Sequence, residues 1–240
     1  MPGKTKLFER GIVMKKTVGI VFADEMEYKP FEKAAEAFGA KKETFLSQNC
    51  LSFNLGELEI VAVESGIGKG NAAFAAASLI LKKNAEIILN AGLSGAVSHL
   101  CRGDIVAGES FTECDFDLTA IGYELGAKPD GDISVHKADE ELLQKMLSLG
   151  NIKKARFGTG DIFLSDSEKK RLFKEKFKIG AFDMETAAIA LVCDKCSVSF
   201  LSLRKISDDA DDSSGEDYRD MNNRAESCLT DILFAFFKII

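Results

Sequence analysis

The stretch "LSLRKISDDADD", residues 201–212, joins an apolar run to a cluster of acids. Leu201 and Leu203 read as part of a buried strand, which breaks at Ser207 and Asp208 into an acidic loop. A carboxylate presented at the C-terminal end of a strand is where open α/β sheets place their chemistry. The plainer reading of the acids is a solvated charge run. Other strands that end the same way would favour the first.

Two others do. "KTVGIVFA" (16–23) is a β-branched run with little alternation, as in a strand buried on both faces. It leads into a helical pattern carrying Phe31, Ala34, Ala35 and Phe38. Asp24, Glu25 and Glu27 stand at that junction, where the helix dipole alone accounts for one or two acids. "KIGAFDMETAAIALVCDKC" (178–196) is likewise a strand running into an apolar, Ala-rich helix, with Asp183 and Glu185 at its start.

Between these lie a hairpin-like pair turning near Gly56 and a Gly-rich turn, "SGIGKG", opening a long apolar helix. Such a turn can cradle phosphate on backbone N–H groups, but this one has neither the Walker nor the Rossmann spacing. Close helix–sheet packing explains its glycines equally well. "AEIILNAGLSGAV" (85–97) is a buried strand ending in small residues, where backbone can approach a ligand closely. A strand near residue 105 precedes a long irregular segment around Gly122, Pro129 and Gly131, and loops of that length are usually functional or interfacial. Amphipathic helices are expected over "KADEELLQKMLSLG" and "SEKKRLFKEKF", and a last helix from Tyr218 to Phe236. Alternating strands and helices, with no repeat or linker, predict a single-domain three-layer α/β/α fold. Its central sheet should be mixed and mainly parallel, over residues 16–240 behind a dispensable extension, 1–15.

The formal net charge of -7 argues against a nucleic-acid surface. No run reaches the ~18 apolar residues of a membrane span, and the N-terminus lacks the apolar core of a secretion signal, so a cytoplasmic protein is expected. The cysteines are scattered, which does not suit a disulfide scaffold. Cys193 and Cys196 form a C-x-x-C at a helix C-terminus, the wrong polarity to lower a thiol pKa, and read as structural.

If the strands share a C-terminal edge, Glu27, Asp183/Glu185 and Asp208 converge on one pocket. Three carboxylates suit a ribose passing through an oxocarbenium-like state. Metal binding is the rival use, weakened by the lack of tight D-x-D spacing at the first two strand ends.

The landmarks "VGIVFADEME", "SGIGKGNAA", "NAGLSGA", "GDIV", "DLTAIGYELGAKP", "GTGDIF", "FDMETAAIA" and "RKISDDAD", in this order, resemble the purine nucleoside phosphorylase superfamily, specifically bacterial 5′-methylthioadenosine/S-adenosylhomocysteine nucleosidases. The resemblance runs from Lys16 to the last helix. It implies a nucleoside phosphorylase-like fold, no cofactor or metal, a small nucleoside as substrate, and a homodimer. It implies that Glu27 orients or deprotonates the attacking water and Asp208 protonates N7 of the leaving adenine, assisted by Ser207. Glu185 would accept the ribose hydroxyls, Met184 would pack on the sugar, and Arg204 would lie near ribose and nucleophile. Phe163 would stack on the base and Leu164 offer its backbone to the base edge. Tyr218 would cap the 5′ side, with Ile121 and Pro129 supplied by the neighbouring subunit. Leu93 stands where serine is common, displacing the hydroxyl to Ser94; Asp183 replaces a usual Glu, and Ile121 a usual aromatic. These departures leave the 5′ substituent open, a futalosine-like group included.

Phosphate as nucleophile would demand committed arginines. The acids of "ADEME" would repel it, and Asn90 stands where phosphorylases of this superfamily tend to carry Arg, so water is the expected nucleophile. The alternatives are a phosphate-dependent phosphorylase, a silent nucleoside-binding protein and, more remotely, a thiol-redox protein.

Overall fold

A computed structural model of the chain describes residues 15–212, 214 and 228–240. Residues 1–14 of the extension, Tyr218 and the first part of the expected last helix lie outside the described residues.

Strand β1 (Lys16–Phe22) enters helix α1 (Glu25–Ala35). An antiparallel series follows: β2 (Lys41–Phe45), β3 (Gln48–Leu55) and β4 (Leu58–Glu64). The β3–β4 turn is at Gly56, as expected, in the left-handed conformation at φ +61°. Helix α2 (Lys69–Lys83) leads to β5 (Ile87–Ala96), then β6 (Ile105–Glu113) and the short β7 (Val135–Lys137). Helix α3 (Glu140–Leu147), β8 (Ile152–Thr159), α4 (Ser167–Phe177), β9 (Ala181–Asp183), α5 (Thr186–Cys196) and β10 (Ser199–Asp208) come next. Helix α6 (Cys228–Phe236) is last.

The sheet is mixed: β1–β4, β5–β10 and β6–β8 are parallel, and β3–β4 is antiparallel. Helices cover both faces, giving the expected three layers. Phe31 of α1, Leu142 and Met146 of α3, and Leu233 and Phe236 of α6 pack on one face. Ala72, Ala75 and Leu79 of α2 with Ala187, Ile189 and Cys193 of α5 cover the other. Phe31 stacks on Phe234 with ring centroids 5.4 Å apart, and each such buried side chain contributes about 1.5–3 kcal/mol. No helix among the described residues is long and apolar enough to cross a membrane.

Half of the sheet closes on itself. β5 pairs β10, β10 pairs β6, β6 pairs β8, β8 pairs β9, and β9 returns to β5. The return is antiparallel, setting Gly95 opposite Phe182, while Gly95 also faces Asp208 on β10. The three acidic strand ends therefore converge, but not along one parallel edge. Asp183 and Glu185 arrive on a strand running against β5, and the curl of the sheet brings them to it.

Candidate active site

The acids after β1 have separate tasks. Asp24 caps α1, accepting from the Met26 and Glu27 N–H groups at 2.9 and 3.0 Å. Glu25 is exposed and paired with Lys29. Glu27 turns inward, where its two oxygens accept the Ala23 N–H at 2.9 Å and the Leu93 N–H at 2.7 Å. It lies deep in the protein yet is half-buried by area because it borders an open cavity. Burial pushes its carboxyl up to about 8, against the downward pull of Arg204. A methyl group at Gly92 would collide with both Glu27 Oε1 and Arg204 Nη1, so this approach requires glycine.

The β9–α5 acids also divide. Asp183 Oδ1 accepts from Thr159 Oγ1 and from the Glu185 and Thr186 N–H groups, so it holds the start of α5. Glu185, freed from capping, points the other way. Its Oε1 accepts the Gly68 N–H at 3.0 Å and its Oε2 lies 3.4 Å from Arg204 Nη2. Burial raises this carboxyl above its ordinary value, with Arg204 opposing.

Arg204, on β10, is fully buried among these acids. It donates to Asn90 Oδ1, Thr186 Oγ1 and the Leu93 carbonyl. Asn90 is fixed in turn by donating to the Val21 carbonyl at 3.0 Å. Where β10 ends, Asp208 accepts the Ala210 N–H at 2.8 Å and the Ser207 hydroxyl at 2.7 Å.

These groups border a cavity of about 480 Å³, large enough for a small organic molecule. Glu27, Glu185 and Asp208 line it together with Ser94, Ser207 and Met184. Ile162, Phe163, Leu164 and Phe182 form its apolar wall. Ser94 Oγ is buried there and has no hydrogen-bond partner among the described residues. A group so placed costs about 1–3 kcal/mol until a ligand or water pairs it.

The phosphorylase superfamily family model matches residues 17–238. A 5′-methylthioadenosine/S-adenosylhomocysteine nucleosidase of Geobacillus sp. (strain WCH70) is 32% identical over 206 residues, 81% of this chain and 88% of the relative. This chain belongs to that nucleosidase family. The nucleosidase of Shewanella piezotolerans is also 32% identical, over 84% of this chain and 90% of its own. Among solved structures, a mutant Helicobacter pylori nucleosidase with 5′-methylthioadenosine in its active site superposes with a TM-score of 0.87. It has 25% identity, over 95% of this chain and 100% of that one. A Helicobacter pylori structure described as futalosine hydrolase gives 0.87 and 25%, over 95% and 99%.

Of the residues expected in a nucleosidase site, the fold brings eight to the cavity wall: Glu27, Ser94, Phe163, Leu164, Met184, Glu185, Ser207 and Asp208. Arg204 stands behind them. Ile121 and Pro129 are not on this wall; both are exposed, on the segment between β6 and β7. Tyr218 lies outside the described residues. Sequence reasoning missed the cavity-lining Ile67, the helix-starting task of Asp183, and Asn90 and Thr186 as the seats of Arg204. The last two are single polar residues inside apolar or Ala-rich runs, and that was their only signal.

Proposed function

We propose that the chain hydrolyses the N-glycosidic bond of a 5′-substituted adenosine, 5′-methylthioadenosine or S-adenosylhomocysteine. The observation that carries this is one cavity bordered by an inward carboxylate at each of three strand ends, with an aromatic wall beside them. Glu27 takes a proton from water as its oxygen bonds to C1′. The C1′–N9 bond breaks, and Asp208 gives its proton to N7, so adenine leaves neutral. Glu185 accepts the ribose hydroxyls, and Ser94 Oγ supplies one more polar partner there. Met184 packs on the sugar, Phe163 stacks on the base, and Leu164 offers its backbone to the base edge.

Water rather than phosphate is supported by where the positive groups are spent. Arg204 faces Asp183 and Glu185. At the Gly-rich turn the Gly68 and Lys69 N–H groups go to Glu185 and Asp161, and the Lys69 ammonium goes to Glu113 and Asp115. An anion would have to displace carboxylates at each point. The test is the protein with methylthioadenosine, with and without phosphate: adenine is released without phosphate, and release only with phosphate would make it a phosphorylase. Futalosine in the same assay decides the alternative 5′ group.

The Glu27 role carries a pH dependence. A base must be charged to act, and the Glu27 carboxyl loses its proton only near pH 8. The kcat/KM of the free enzyme should therefore rise with pH as Glu27 ionises, up to about pH 8. A profile flat from pH 6 to 9 would remove Glu27 as the base.

A homodimer that brings Ile121 and Pro129 to a neighbour's 5′ pocket is supported by large exposed apolar side chains. Ile67 is exposed and lines the cavity, and Phe74 and Leu81 of α2 and Leu191 of α5 are exposed as well. Sedimentation equilibrium should give twice the chain mass. A monomer with full activity would end this part of the proposal.

A further inference from the structure

Lys69 is the first residue of α2 and the one cation of "SGIGKG". Its ammonium lies 2.6 Å from Glu113 Oε1 and 2.7 Å from Asp115 Oδ1. Asp115 Oδ2 accepts the Asp161 N–H at 2.7 Å, and Asp161 Oδ1 accepts the backbone N–H of Lys69 at 2.8 Å. The contacts form a closed ring: Lys69 side chain, Asp115, Asp161, Lys69 backbone. Glycines make it possible. A Cβ at Gly160 would lie 2.9 Å from Asp115 Cγ, and one at Gly68 3.1 Å from Asp161 Oδ1.

The ring leads in two directions. Asp161 is followed at once by Ile162, Phe163 and Leu164, the apolar wall of the cavity. Glu113 also binds Lys128, at 2.5 Å, and the Lys128 ammonium sits 3.4 Å from the centre of the Phe116 ring. The segment carrying Ile121 and Pro129 is thus tied to the same ring.

None of these groups touches the cavity. The Asp161 side chain is exposed, whereas Lys69, Glu113 and Asp115 are partly buried. What such a ring can do is hold a loop in one place. We propose that Lys69 is a positioning residue that sets the base-facing wall, residues 162–164, through Asp115 and Asp161. This rests on the adenosine reading above, in which that wall receives the base.

The test compares wild type, Lys69→Met, Lys69→Arg and, as a second break in the ring, Asp115→Asn, on methylthioadenosine and its 2′-deoxy analogue. Lys69→Met and Asp115→Asn should each raise KM about tenfold, on both substrates, with kcat nearly kept, the mark of lost uniform binding. Lys69→Arg should restore most of the KM, because a cation remains between the two acids. An unchanged KM in the folded Lys69→Met or Asp115→Asn protein overturns the proposal. So does a penalty absent with the 2′-deoxy analogue, which would place the damage at Glu185 through Gly68. So does a loss of kcat and KM together with a large fall in unfolding temperature, which would make the ring merely structural. If wild type itself releases no adenine, it is the adenosine reading that has failed.

Discussion

Asp208→Asn should lower kcat on methylthioadenosine by about 10²–10⁴-fold, the usual worth of a positioned general acid. The substitution is nearly isosteric, and the local structure can accept it. The amide oxygen can keep the Ala210 N–H, which Asp208 accepts at 2.8 Å. Ser207 Oγ, which donates to Asp208, has a second acceptor in the Ser94 carbonyl at 3.3 Å and can turn to it. The variant should therefore fold and bind. What it lacks is a proton to give, and adenine departs poorly as an anion. The diagnostic is the leaving group: a riboside that expels a stable anion, such as a nitrophenolate, should lose far less. Full activity on methylthioadenosine, or an equal loss on both substrates, would sink the assignment.

The acidic run around Asp208 marks what the sequence could and could not reveal. Asp208 is buried at the strand end, Asp212 is exposed, and Asp209 and Asp211 are intermediate, so one inward acid with an acidic margin was a fair reading. β1 and β5 were legible because strands buried on both faces leave long apolar runs. β2 was not. Its residues, "KKETF", are exposed at four of five positions, so it has no apolar face to betray it. The closing of the sheet was hidden as well, because the pairing of β9 with β5 spans only Gly95–Phe182 and Ala96–Ala181. Two adjacent residue pairs are too few to leave a periodicity. The acids at the strand ends could be found by position, but the division of tasks within each pair depends on capping. Asp24 and Asp183 also border the cavity, but their oxygens accept N–H groups at helix starts. The shorter acid in each pair sets its helix, and the longer one, Glu27 or Glu185, is not spent on capping.

Arg204→Met should be the most destabilising change at the site, by about 3–5 kcal/mol, because it leaves buried carboxylates without their cation. Arg204 is fully buried, with Glu185 and Asp183 at 3.4 and 3.6 Å, and it also draws down the Glu27 carboxyl. Against a total stability of about 5–15 kcal/mol typical of domains, such a loss is severe. Its pH dependence separates charge from packing. Burial already raises the Glu27 and Glu185 carboxyls, and without Arg204 both rise further. An acid whose folded pKa exceeds its unfolded value binds more protons folded than unfolded, so stability falls as pH rises between the two values. The deficit of the variant should be small near pH 5, where the acids can protonate, and should grow through pH 8 and above. Urea unfolding at pH 5.5 and 8.5 measures it, and an equal deficit at both would mean that Arg204 matters for its volume alone. The conservative change Arg204→Lys should recover only part of the loss. One ammonium cannot span Asn90, Thr186 and the Leu93 carbonyl as the two guanidinium ends do.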